Sequence, residues 1–283
     1  MNQERPQLDD ETFRLLSDLV HDYCGISFHE DMRFLLERRL HTRLEILGLH
    51  SFRDYYRYLR FDSNRQRELE EAAELLTTNE TYFFREQPQL RAFTGDILPG
   101  MAESRGRRKR LRIWSAGCST GEEAYTIAML LLESGLFEGW RLDVFGTDIS
   151  RAVLATARRG VYRQHALRET DERFIHRYFE TAEDGARRVS DEVRRIVSFG
   201  HLNLADPQMM GLVGEMDVIF CRNVLIYFGA EVKRALIGRF YEHLAPGGYL
   251  LLGHSESLLN LSTDFELVHL DHDLVYRRPE EKR

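Results

Sequence analysis

The sequence predicts an α/β protein: a small all-helical N-terminal domain over residues 1–86, then a doubly wound, mostly parallel sheet domain over residues 87–283 that carries a small antiparallel β-insertion at about 172–201. Three observations predict it. Apolar residues recur at helical spacing as far as Leu76, short strand-like runs alternate with helical ones from Leu111, and the alternation breaks down between Glu172 and His201.

In the N-terminal part Phe13, Leu16 and Val20, and then Leu36, Leu40, Leu44 and Leu47, recur at helical spacing. Gly25 and Gly48 stand where C-caps would close the first two helices, and Ser51 and Asn64 where N-caps would open the next two. The stretch TTNETYFFRE, residues 77–86, ends this domain with a polar turn, three aromatics and an arginine. Past Pro88 another helix is expected to about Glu103. RGRRKR, Arg105 to Arg110, then reads as a solvated turn, with a nucleic-acid patch or localisation signal as the alternative.

Strands are expected at LRIWSAG, LDVFGTD, MDVIFCRN and YLLLGHS, with helices from Glu122, after Ser150, and from about Gly229 to Leu244. Such a sheet holds ligands at the carboxyl ends of its strands, so the polar and basic residues there are the candidate site. The insertion combines a helix-like ERFIHRYFE with RRVSDEVRRIVSFGHL, which reads as short antiparallel strands.

A chain of 283 residues with 43% hydrophobic content can fill a core. Its net charge of −7 supplies no global attraction to a polyanion, which disfavours a general nucleic-acid binder. Cys24, Cys118 and Cys221 are widely spaced and lack C-x-x-C pairing, which suggests no disulfide framework and no metal site and fits a reducing cytoplasm. MNQERPQLDD has no apolar h-region, and no apolar run approaches a membrane span, so neither export nor membrane insertion is expected.

WSAGCSTGEEAY, Trp114 to Tyr125, runs from a strand through a glycine-bearing turn into a helix. Its spacing is G-x-x-x-G, neither the dinucleotide fingerprint nor a P-loop. Glu122 and Glu123 at the helix start suit the positive helix end but would repel a pyrophosphate; a cationic ligand would be favoured. S-adenosylmethionine, with a sulfonium, an ammonium and no phosphate, fits that inversion. Asp148 ends the next strand, where a carboxylate can accept from a ribose diol. Helix-end charge compensation for the two glutamates and an N-cap for Asp148 stay open as the alternatives.

FCRNVLIYF, Phe220 to Phe228, is a hydrophobic strand that stops at Arg222 and Asn223, with Tyr227 beyond. Asn223 suits a cofactor contact and Tyr227 can bring a hydroxyl to the reacting group; a strand-end cap and a core tyrosine are the alternatives. The stretch lacks the Asn-Pro-Pro-Tyr arrangement suited to amine methylation. HLNLAD offers Asn203 between Leu202 and Leu204, suited to an adenine slot or to a simple turn.

TTNETYFFRE, SAGCSTGEEAY, GTDIS, HLNLAD, FCRNVLIYF and GHSESL follow one another in the order found in the chemotaxis receptor methyltransferase family, CheR, which the chain resembles over nearly its whole length. The resemblance implies a Rossmann-like S-adenosylmethionine-dependent methyltransferase domain. It also implies transfer of the methyl group to glutamate side chains of the cytoplasmic helices of chemoreceptors, giving glutamyl methyl esters and S-adenosylhomocysteine. By the same resemblance, Asn79, Thr81 and Arg85 border the cofactor from the N-terminal side. Glu123 holds its ammonium group, Asp148 its ribose, Asn203 and Leu204 surround its adenine, and Arg222 with Asn223 meets its central part. Arg85 and Tyr227 fall where the family has its residues nearest the methyl transfer.

A glutamate acceptor, with a reference pKa of about 4.3, is already ionised near neutrality, so no strong general base is needed. Arg39 and Arg43 share a helix face that would attract a glutamate-rich receptor helix, or would simply be solvated. In some family members the β-insertion binds a receptor's C-terminal pentapeptide through a longer glycine-containing loop. Here TAEDGAR, Thr181 to Arg187, is short, so no such tether is expected. A monomer is expected. The acidic balance argues against an RNA acceptor, intact Arg85 and Tyr227 against a non-catalytic sensor, and Glu122-Glu123 against a nicotinamide enzyme.

Overall fold

The computed structural model describes residues 6–211 and 213–280. The chain divides into two compact units, one running to Thr78 and taking in Tyr227–Val232, the other made of Asn79–Ile226 with the residues from Lys233 onward.

The first unit holds helices α1 (Asp10–Cys24), α2 (Arg33–Leu47), α3 (Phe52–Phe61) and α4 (Arg65–Leu76). Asp9 caps α1 by accepting from the Thr12 amide, and Ser51 caps α3 by accepting from the Asp54 amide. Gly25 and Gly48 close α1 and α2 at φ 75° and 66°, the left-handed turn that a residue with a Cβ resists. Asn64 opens α4 without a side-chain cap; instead its own amide donates to the Asp62 carboxylate at 2.8 Å. The predicted apolar faces meet in the core, where Leu16, Leu36, Leu40 and Leu44 are buried. The returning segment pairs here too: the Ser27 amide donates to the Tyr227 carbonyl at 2.9 Å, and Ile26 bridges Phe228.

Arg39 and Arg43 are both tied to α4. Arg39 donates to the carbonyls of Leu76 and Thr77 at 2.6 and 3.1 Å, satisfying the C-terminal end of α4. Arg43 grips both oxygens of Glu68 at 2.8 and 2.6 Å, and Glu68 accepts from the Tyr55 hydroxyl at 2.7 Å. Each guanidinium thus has fixed oxygens to satisfy at the neighbouring helix.

The second unit is built on a sheet of β1 (Arg110–Ala116), β2 (Arg141–Asp148), β6 (Val197–His201), β7 (Met216–Cys221), β8 (Leu244–Leu252), β9 (Glu266–His269) and β10 (Leu274–Arg277). Its order is β6-β2-β1-β7-β8-β10-β9, with β6 to β8 parallel and the last two strands antiparallel. The order reverses between β1 and β7, which is the switch point where doubly wound sheets open a ligand crevice. Helices α5 (Gln87–Ala92) and α6 (Leu98–Arg105), joined by a π turn, precede β1; α7 (Glu122–Glu133) and α8 (Arg151–Arg159) follow β1 and β2. Three further short helices, α9 (Glu172–Tyr178), α10 (Asp191–Arg194) and α11 (Pro207–Met210), lead to α12 (Ala230–His243).

The insertion differs from expectation. A three-stranded antiparallel sheet forms from β3 (Val161–Tyr162), β4 (Phe179–Thr181) and β5 (Arg187–Val189), starting earlier than 172. Val197–His201, expected to be part of it, instead runs parallel to β2 from Val144↔Val197 to Asp148↔His201. Strand periodicity marks an extended segment but not its partner. Here Phe199 packs over Gly146, where a Cβ would approach its ring at 2.8 Å.

The boundary differs as well. The aromatics of TTNETYFFRE enter the second unit's core rather than closing the helical one: Phe83 packs edge-on to Tyr162 and Phe179, and Phe84 packs on Phe174. The Phe83 amide donates to the Ala166 carbonyl and the Phe84 amide to the Thr126 hydroxyl.

Candidate functional site

Four amides of the turn after β1 are paired within the second unit. The amides of Gly117 and Cys118 both donate to the Thr147 carbonyl, that of Ser119 to Asp148 at 2.8 Å, and that of Gly121 to the Cys118 carbonyl. No amide among these is left over to cradle a phosphate. Gly121 sits at φ 96° with Ala157 2.8 Å from where a Cβ would lie, so the turn tolerates no side chain there.

Asp148 is 8% exposed and spans the turn and the next helix, its second oxygen accepting from the Ser150 amide at 3.0 Å. The N-cap of α8 is Ser150, not Asp148. Burial raises the Asp148 pKa against the opposing pull of these amides. An ionised carboxylate has about four acceptor positions, so it retains capacity for a ligand's hydroxyls. The Asp148 carbonyl accepts from Leu202, which places the HLNLAD turn beside it; there Asn203 is buried with its side-chain oxygen on the Ala205 amide at 3.0 Å, and Leu204 is buried. Asn79 joins the same turn through its carbonyl, which accepts from the Ser119 hydroxyl at 3.2 Å, and Thr81 lies half-buried two residues on.

The second group lies at the end of β7. Arg222 is buried and donates to the Arg85 carbonyl at 2.6 Å, with Glu86 at 3.1 Å and Glu123 at 3.4 Å. Glu123 also accepts from the Ser115 hydroxyl at 2.6 Å; burial raises its pKa, with Arg222 opposing. Glu122 is buried at the first turn of α7, accepts from the Thr120 hydroxyl at 2.7 Å, and is likewise raised by burial. The exposed His254 ring nitrogen lies 3.3 Å from Glu86. Arg85 itself donates to the Glu80 carbonyl and lies over the Tyr82 ring, which Arg168 also covers at 3.7 Å.

Asn223 has φ 59° and its loop is clamped by Glu256, whose carboxylate accepts from the amides of Asn223, Gly253, Val224 and Ile226 at 2.7, 2.8, 3.0 and 3.2 Å. Burial raises the Glu256 pKa and the amides oppose it. Phe84, Glu86 and Ser119 also have positive φ, so left-handed non-glycine residues gather on the loops that carry these groups. The candidates thus fall into two linked groups at the β1/β7 switch point, while Tyr227, Arg39 and Arg43 belong to the helical unit. Glu86, Ser119 and Glu256 were not singled out from the sequence. Glu86 and Glu256 each lie inside a quoted motif, TTNETYFFRE and GHSESL, and their carboxylates were the only signal.

Chemically, two carboxylates share one buried guanidinium beside a turn in which four amides are already paired. Such a site favours a cation over a pyrophosphate. Among the described residues no cluster of metal-ligating side chains is present, and no helix is long and apolar enough to cross a membrane.

Comparison with known proteins agrees with this chemistry. Residues 79–274 match the family model "CheR methyltransferase, SAM binding domain", and residues 11–77 match "CheR methyltransferase, all-alpha domain". The chain is 36% identical over 273 residues to Chemotaxis protein methyltransferase 2 of Vibrio cholerae, covering 96% of this chain and 94% of that one. It is 37% identical to the Chemotaxis protein methyltransferase of Salmonella typhimurium, covering 93% and 90%, and 38% identical to that of Escherichia coli over the same shares.

Proposed function

We propose, from the premise that the chain belongs to the CheR methyltransferase family and carries its SAM binding domain, that it is a protein-glutamate O-methyltransferase acting on chemoreceptors. The products are glutamyl methyl esters and S-adenosylhomocysteine. The observation that carries the cofactor side is the buried Glu86–Arg222–Glu123 cluster beside the turn after β1.

The residues present fit S-adenosylmethionine. Glu123 offers a carboxylate to an ammonium group, and Asp148 keeps acceptor positions for a ribose. Asn203 and Leu204 supply a buried, largely apolar setting for an adenine, with Asn79, Thr81, Arg222 and Asn223 on the surrounding loops. When bound, the cofactor supplies an electrophilic methyl on a cationic sulfur, which keeps the electron pair of the broken C–S bond and leaves as a neutral thioether.

The protein's task is then orientation. An acceptor glutamate arrives ionised, so no residue must remove a proton. Arg85 presents a planar fork of donors that can align a carboxylate, and the Tyr227 hydroxyl supplies a further contact. Because the acceptor's charge disappears as the ester forms, a tight ionic clamp would favour the ground state and slow the step. A loosely held Arg85, tethered to a carbonyl and a ring rather than to a carboxylate, suits that requirement.

The partners follow from the same reading: cytoplasmic methylation helices of chemoreceptors, met by a cytoplasmic monomer. The β4–β5 connection is a tight turn in which the Ala182 amide donates to the Ala186 carbonyl, and this shortness supports recognition without a pentapeptide tether. Incubation with methyl-labelled S-adenosylmethionine and receptor cytoplasmic fragments should transfer label that alkali releases. Alkali-stable label, or none on any receptor fragment, refutes the proposal.

A further inference from the structure

Arg222 divides its donors unequally. Its Nε and Nη2 edge faces Glu86 at 3.4 and 3.1 Å, whereas Glu123 receives only Nη1, at 3.4 Å. Nη2 is fixed further by the Arg85 carbonyl at 2.6 Å. Burial pushes both carboxyls up, but at Glu86 the charge and hydrogen bonds of Arg222, with His254 and Arg85, together outweigh it and the pKa is lowered, while Glu123 stays raised. By geometry Glu123 is the less fully paired of the two carboxylates. The backbone is bent to bring Glu86 here, with φ 59° at both Phe84 and Glu86. Of the other charged groups, Arg85 is turned onto the Glu80 carbonyl and Tyr82, and His254 approaches the other Glu86 oxygen from solvent at 3.3 Å with its side chain 80% exposed.

We propose that Glu86 is a positioning residue for the amino-acid end of the cofactor: by occupying the Nε/Nη2 edge of Arg222 it keeps that guanidinium from closing bidentately on Glu123, and so leaves the Glu123 carboxylate open to an ammonium group. This rests on the reading above that S-adenosylmethionine is the ligand and Glu123 its ammonium partner. Without Glu86, one guanidinium and one carboxylate would form a self-neutralised fork pair, the arrangement arginine geometry prefers. With Glu86, Arg222 is shared between two carboxylates, and Glu123 keeps acceptor positions for an incoming ammonium group.

The test is calorimetric titration of the full chain and Glu86→Gln with two ligands, S-adenosylhomocysteine and 5′-methylthioadenosine, which keeps the adenosine and sulfur but lacks the ammonium. Loss of one charge-assisted contact predicts an affinity for S-adenosylhomocysteine reduced about 10- to 100-fold. The affinity for methylthioadenosine should stay within about twofold, because no charge-assisted contact to that ligand is removed. Equal losses for both ligands, as a collapse of the site would give, overturn the inference, and so does no loss for either. Should Glu86→Gln fail to fold, Glu86→Asp keeps the charge, and the ratio of the two affinities should be preserved; a lost ratio overturns the inference. Wild-type protein that binds neither ligand would instead sink the functional reading on which it rests.

Discussion

Arg85 makes few demands on the fold: one hydrogen bond to a carbonyl five residues back and a ring 5.8 Å away. Arg85→Ala is therefore expected to cost no more than about 1 kcal/mol of stability. On the proposed function, in which Arg85 meets the acceptor carboxylate, its removal is expected to slow methyl transfer by about 100-fold or more. Thermal melts and labelled transfer on one preparation check this, and a melting temperature that falls in step with activity would make Arg85 structural. At this scale the sequence was informative where a residue type contradicts its setting, as with Glu122 and Glu123 at a glycine-bearing turn. It was silent where a side chain's role depends on a distant partner. Nothing near Glu256 in the chain announces that four amides of two separate loops converge on it.

Helix α2 shows how an element's pattern can be read correctly and its exposed face misjudged. The apolar spacing of Leu36, Leu40 and Leu44 places these residues in the core. The charged face is another matter, since Arg43 and Glu68 form a pair whose side chains are 12% and 5% exposed. Arg43→Ala leaves the buried Glu68 carboxylate with the Tyr55 hydroxyl and no cation, which is expected to destabilise the helical unit by about 3 to 5 kcal/mol. Chemical denaturation checks it, and a change below about 1 kcal/mol would return Arg43 to the solvated face. Strand β6 makes the same point for sheets. Its residues were recognised as extended, but the choice between a local hairpin and the main sheet was made by Phe199 packing across Gly146.

For the molecule as a whole, the three cysteines test the packing of both units together. Cys24 lies in the helical unit, with its thiol pushed up to about 12 by burial; Cys118 and Cys221 lie in the second unit, both raised by burial. None should react with a thiol reagent at pH 8 in native protein, and all three should react once denatured. A thiol labelled rapidly in native protein would show that its unit opens far more readily than its buried core implies. The sequence by itself determined most of the helical and strand pattern and the inversion of charge at the first turn, because period, capping residues and local charge are properties of neighbouring residues, and its ordered motifs carried the resemblance to the family. Only the tertiary structure decided that Phe83 and Phe84 belong to the second unit's core, that residues 227–232 return to the helical unit, that Arg39 and Arg43 bind α4, and that Arg222 is shared between Glu86 and Glu123. Each of these turns on which long-range partner satisfies a buried ring or charge, and sequence spacing carries no record of that choice.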